Sequence, residues 1–108
     1  MPKKLFVIGV GPGNQKYITE MAKEKIELSN YIIGYKYTLK TIEKLIDEEK
    51  QIIYEITMKN QESTYQVVYE NMKDGEFCLV PFTGDVNFSE SEVVDRLLEI
   101  FGDKNVEI

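Results

Sequence analysis

At 108 residues the chain has the length of one domain, which buries about two-thirds of its unfolded surface on folding. Apolar residues make up 43%, enough for a core and too many for wholesale disorder. The formal charge is −6 and Arg96 is the only arginine, so no basic stripe is available and nucleic acid is disfavoured as a partner. A cationic small ligand is compatible with that balance.

The chain contains no histidine, which removes imidazole bases and imidazole metal ligands. Its single cysteine, Cys78, lies in an apolar run and has no partner for an intramolecular disulfide. A buried free thiol fits a reducing cytoplasm, the expected location. No signal-like segment or membrane-length apolar stretch is evident, so no membrane partner is expected.

Short apolar runs alternate with amphipathic stretches, the pattern of βαβ units around a parallel sheet. Leu5–Val10 reads as a strand buried on both faces. A helix is expected over about Gln15–Leu28, with Ile18, Met21, Ala22 and Ile26 on one side. Tyr31–Gly34 is a second strand, and Leu39, Ile42, Leu45 and Ile46 mark a helix running to about Glu49. Ile52–Ile56 is a third strand. Tyr65, Val68, Tyr69 and Met72 then repeat at helical spacing, up to Asp74-Gly75. Phe77–Phe82 is the fourth strand. Ser89 and Glu92 match a capping box, Val94, Leu97, Leu98 and Phe101 form the next helical face, and Gly102 suits its end. Asn105–Ile108 begins a fifth strand. The fold class expected is a three-layer α/β/α domain on a five-stranded parallel sheet.

Open α/β sheets build ligand sites from the loops at the carboxyl ends of their strands. Two such loops stand out. After the first strand, Gly9, Gly11 and Gly13 have G-x-G-x-G spacing, but the dinucleotide fingerprint wants its third glycine where Asn14 stands. Pro12 also removes an N–H that a pyrophosphate would need. The glycines could serve only a tight turn. A loop poor in donors and rich in carbonyls otherwise suits a positively charged ligand. After the fourth strand come Gly84, Asp85, Val86 and Phe88. Asp85 reads either as a turn residue or as an acceptor for a ligand's amine or hydroxyl groups, with Phe88 flanking an apolar ring. Tyr54, Tyr65 and Tyr69 read as core or boundary residues. Asp47-Glu48-Glu49-Lys50 reads as a solvated helix end.

The segment Val7-Ile8-Gly9-Val10-Gly11-Pro12-Gly13-Asn14, with Tyr17-Ile18-Thr19 and with Gly84-Asp85 and Phe88, resembles the tetrapyrrole methylase superfamily. These are the S-adenosylmethionine-dependent enzymes of corrin and sirohaem synthesis. Gly34-Tyr35-Lys36 and Gly84-Asp85-Val86-Asn87-Phe88-Ser89-Glu90-Ser91 are most similar to the cobalamin-pathway precorrin methylases that act at C-5, the CbiE type. Gly84-Asp85-Val86 departs from the Gly-Asp-Pro common in the superfamily. The resemblance spans nearly the whole chain but only the N-terminal half of such an enzyme. Residues 1–108 are therefore expected to be the N-terminal domain of a methylase whose C-terminal domain is absent from this chain.

The resemblance implies that S-adenosylmethionine, as methyl donor, lies in a cleft bordered by Gly11, Pro12 and Gly13 and is contacted by Gly84, Asp85, Val86 and Phe88. It implies a polycarboxylated precorrin substrate, with Lys36 placed for a carboxylate and Tyr35 lining the same rim. A solvated Lys36 and a half-buried Tyr35 are the plainer alternatives. No bound metal and no dedicated catalytic residue are implied, because an electron-rich macrocycle carbon attacks an already electrophilic methyl group. The chain is expected to form a homodimer or to pair with a C-terminal methylase domain. An assembly module with half a cleft is the competing reading.

Overall fold

The structure, a computed structural model, describes residues 3–9, 19–57, 59–82 and 91–107. Five strands form one sheet: β1 (Lys4–Gly9), β2 (Tyr31–Tyr35), β3 (Ile52–Ile56), β4 (Phe77–Phe82) and β5 (Val106–Glu107). Four α-helices accompany them: α1 (Glu20–Leu28), α2 (Lys36–Thr41), α3 (Gln61–Asn71) and α4 (Ser91–Phe101). The spatial order is β3-β2-β4-β1-β5 and every pairing is parallel. This is the expected three-layer α/β/α architecture.

The period of two along each strand sorts the side chains into two cores. Leu5 and Val7, Tyr31 and Ile33, and Cys78, Val80 and Phe82 face one layer, where Tyr65 and Val68 of α3 and Leu97 and Phe101 of α4 cover them. Phe6, Ile32 and Leu79 face the other, beneath Ala22 and Ile26 of α1 and Ile42 just after α2. Strands buried on both faces need continuous apolar runs, and β4 shows why the expected and observed bounds agree: after half-buried Phe77 every residue to Phe82 is buried. Chain direction explains the helix layers. The chain moves from β1 to β2 and β3, then turns back to β4 and β5, and crossovers of one hand place the first two helices and the last two on opposite faces.

Helix ends depart from the periodic pattern for local reasons. The first helix does not begin near Gln15. Thr19 is extended, and its hydroxyl accepts the Ala22 N–H, so helix starts at Glu20. Met21 is 70% exposed and not part of the core face, whereas Ala22 and Ile26 are buried. The second helix stops at Thr41 rather than near Glu49. Thr41 Oγ1 donates back to the Tyr37 carbonyl, Ile42 leaves helical geometry, and a single 3-10 turn follows at Glu43–Leu45. Ile42 is nevertheless fully buried, with Leu39, Leu45 and Ile46 packed around it, so the apolar face is right and the regular helix is not. The third helix ends at Asn71, before the Asp74-Gly75 turn, where Gly75 takes a φ of 90°. Gly102, with φ 88°, ends α4 and donates to the Leu98 carbonyl. Ser89 and Ile18 lie outside the described residues.

Two amides stitch the amino edge of the sheet. Asn30 donates its N–H to the Phe77 carbonyl and accepts the Phe77 N–H on its side chain, while its carbonyl accepts from Ile52. It thus aligns β2, β3 and β4 at once. Gln51 is buried; its Nε2 donates to the Ile26 and Ser29 carbonyls at 2.6 and 2.8 Å, and its Oε1 accepts from Asp47. Replacing Gln51 by alanine strands those groups and should lower the unfolding free energy by about 2 kcal/mol, measured by urea denaturation. An unchanged midpoint would mean water replaces the amide fully.

Candidate functional site

β1 and β4 pair along six residues, from Lys4 with Phe77 to Gly9 with Phe82. Their last residues therefore sit side by side at the carboxyl edge. The segment leaving β1 leads to α1 on one face of the sheet, and the segment leaving β4 leads to α4 on the other. Adjacent strands whose connections part in this way form a topological switch point, where open α/β sheets place their ligand crevice. Gly11, Pro12, Gly13, Gly84, Asp85, Val86 and Phe88 belong to these two connections and lie outside the described residues. The structure places the strand ends from which both connections depart.

Tyr35 and Lys36 are described. Tyr35 closes β2, the other neighbour of β4, and Lys36 opens α2. Tyr35 is half-buried and its hydroxyl donates to Gln61 Oε1, at the first turn of α3, at 2.9 Å. Lys36 is exposed on the same rim. Both thus stand at the carboxyl edge beside the β4 terminus. Gln61, the partner that orients Tyr35, carries no local signal in the sequence. The contact exists only because β2 and β3 are neighbours, so that the helix following β3 starts over the end of β2.

Gly34 lets α2 close down on the rim. A Cβ there would lie 3.1 Å from Leu39 Cδ2 and 3.6 Å from Pro81 Cγ. Pro81 itself sits in the central strand and has no N–H to give. The β1 ladder runs past it to Phe82, whereas the β2 ladder ends at Ile32 and Leu79.

Two buried acids lie in the core between the sheet and α3. Burial pushes the Cys78 thiol and the Tyr65 hydroxyl far above their usual ranges, the latter with a smaller contribution from Tyr35. The Tyr65 hydroxyl has no hydrogen-bond partner among the described residues. Cys78 is a free, fully buried thiol, as expected, and Tyr65, Tyr54 and Tyr69 are core or boundary residues. Among the described residues no cluster of three or more acidic or cysteine ligands could hold a metal ion, and no helix is long and apolar enough to cross a membrane.

Comparison with known proteins decides the family. Residues 4–108 match the profile of the Tetrapyrrole (Corrin/Porphyrin) Methylases. The chain belongs to this family. A cobalt-factor III methyltransferase of Priestia megaterium is 35% identical over 85 residues, which cover 79% of this chain and 15% of that protein. A Methanocaldococcus jannaschii protein, "Probable cobalt-precorrin-7 C(5)-methyltransferase", is 29% identical over 85 residues, covering 79% of this chain and 38% of the relative. The chain therefore spans well under half the length of these curated relatives. Among solved structures, a cobalamin synthesis related protein (CobF) from Corynebacterium diphtheriae superposes with a TM-score of 0.68 over 92% of this chain and 48% of that one, at 16% identity. That likeness is one of fold.

Two outcomes follow for this chain. Gly34→Ala forces Leu39 to yield and should cost about 1 kcal/mol, read by denaturant titration; no loss would show that Leu39 swings clear. For Cys78, burial raises the folded-state pKa above the unfolded value. Its contribution is complete below the unfolded thiol pKa and is lost as pH rises beyond about 9. Stability should fall from about pH 9 upward, less steeply in Cys78→Ala, and the native thiol should resist Ellman's reagent until the protein unfolds. Rapid labelling of the native protein would contradict this.

Proposed function

We propose that the chain is the N-terminal domain of an S-adenosylmethionine-dependent C-methyltransferase of corrin biosynthesis that methylates a precorrin or cobalt-precorrin at C-5. The observation carrying this reading is the switch point of a tetrapyrrole methylase sheet: β1 and β4 end side by side, and the connections leaving them lead to opposite faces. Support for C-5 comes from Gly34-Tyr35-Lys36 and Gly84-Asp85-Val86-Asn87-Phe88, and from the relative named for that position.

When bound, S-adenosylmethionine supplies an electrophilic sulfonium methyl group. The chain's own part is to bind, orient and exclude water, effects of several kcal/mol that require no nucleophile from the protein. Gly11, Pro12 and Gly13 offer carbonyls and few donors, which suits a cation. Asp85 is assigned to accept hydrogen bonds from the donor's amine or hydroxyl groups, and Gly84, Val86 and Phe88 are assigned to contact the donor. On the rim, Lys36 attracts a substrate carboxylate and Tyr35, steadied by Gln61, lines the edge. This chain itself contains no histidine. The domain works with a C-terminal methylase domain, as a homodimer or paired assembly, in the cytoplasm.

The test combines calorimetry with a transfer assay. The chain mixed with a C-terminal methylase domain should bind S-adenosylmethionine more tightly than the chain alone, and Asp85→Ala should weaken that binding about tenfold. With donor carrying a 13C-methyl group and cobalt-precorrin-7 as acceptor, the new methyl resonance should report C-5. A methyl group at another carbon would overturn the position, and no donor binding by the mixture would overturn the methylase reading.

A further inference from the structure

At the edge opposite the switch point, the amino ends of β1 and β4 open into a cavity of about 440 Å³, a size that suits a small organic ligand. It lies on the α1 face. Among its lining are the stacked rings of Phe6 and Phe77, whose centroids are 5.1 Å apart. Three lysines reach it from three elements: Lys4 at the start of β1, Lys25 in the last turn of α1, and Lys104 in the 3-10 turn before β5.

Their states differ. Lys25 is largely buried, with its Nζ 4.2 Å from the Phe6 ring centroid and paired with the Glu107 carboxylate. Lys4 and Lys104 are exposed and have no carboxylate partner among the described residues. Of the charged side chains that line the cavity, three are lysines and one, Glu107, is a carboxylate, in a chain whose formal charge is −6. Lysines from positions 4, 25 and 104 thus converge on one hollow of mixed polar and apolar lining.

An anion here would ordinarily be opposed by the carbonyl end of α1. That end is partly satisfied: the Ile26 carbonyl accepts from Ser29 N and from Gln51 Nε2, and the Lys25 carbonyl accepts from Ser29 Oγ. Leu28, 58% exposed, adds apolar surface to the same lining.

We infer that this amino-edge cavity binds a small organic dianion, its charged groups on Lys4 and Lys104 and its apolar body against Phe77 and Leu28. Glu107 holds Lys25 in place over Phe6, so Lys25 shapes the pocket and the two unpaired lysines carry recognition. The inference is independent of the methyl-transfer reading, because the cavity and the switch point lie at opposite edges of the sheet.

The full chain, labelled with 15N, is titrated with naphthalene-2,6-dicarboxylate, with its neutral dicarboxamide and with inorganic phosphate. The dicarboxylate should give saturable shifts at the Lys4, Phe77 and Asn105 amides that weaken as salt rises. The dicarboxamide and phosphate should each bind at least about tenfold more weakly, and the double variant Lys4→Gln, Lys104→Gln should lose about tenfold in dicarboxylate affinity. Both substituted positions are exposed, and an otherwise unchanged amide spectrum checks the fold. Absence of saturable shifts, shifts confined to other amides, equal binding of the neutral analogue or of phosphate, or full affinity in the double variant would each overturn the inference.

Discussion

The six-residue pairing of β1 with β4 is the constraint on which the rest of this domain depends. It sets β1 beside β4, the central strand, whose residues from Cys78 to Phe82 are all buried, so both faces of the sheet must be covered by helices. The chain meets that requirement by reversing direction after β3. The same reversal sends the connections leaving β1 and β4 to opposite faces, the arrangement at which open α/β sheets place ligands. The core and this switch point are therefore two results of one register.

How much of this could be read before the structure depended on whether the cause was local. β4 was legible to the residue because a central strand of an α/β sheet has no wet face and its apolar run ends where the strand ends, and the bounds of β3 were legible too although this edge strand exposes Ile52 and Glu55. Helix faces were legible through Ile26, Ile42, Tyr65, Val68, Leu97 and Phe101, all buried. Helix limits were not. Thr19 competes for the Ala22 N–H, and Thr41 pulls back on the Tyr37 carbonyl, and neither bond leaves a trace in an apolar period. Met21 shares the spacing of the core residues yet projects outward. At the candidate site, Tyr35 and Lys36 were legible as residues of a strand end. The tie from Tyr35 to Gln61 spans 26 positions and exists only through the adjacency of β2 and β3, which no linear pattern encodes. The convergence of Lys4, Lys25 and Lys104 is hidden for the same reason.

The amino edge is held by named polar bonds. Asn30 joins three strands through its backbone and side chain, and Gln51 ties the end of α1 to the turn before β3. Buried amides of this kind add little net stability when satisfied, but a slipped register would leave them unpaired at a cost of about 1–3 kcal/mol each. They act mainly as selectors of one alignment. Ion pairs contribute less: Arg96 links Glu62 on α3 to Glu99 on α4 with all three side chains more than half exposed, where such contacts are worth little.

Pro81 gives the opposite edge a different character. With the β2–β4 backbone ladder ending at Ile32 and Leu79, the last turn of pleat in β2 is paired along its backbone with β3, Tyr35 beside Ile56, and is tied to α3 through Gln61. A seam thus runs into the sheet from its carboxyl edge. Beyond Ile32 and Leu79 the alignment of β2 with β4 rests on side chains rather than ladder bonds: Ile33 and Val80 share one buried core, and a Cβ on Gly34 would lie 3.6 Å from Pro81 Cγ.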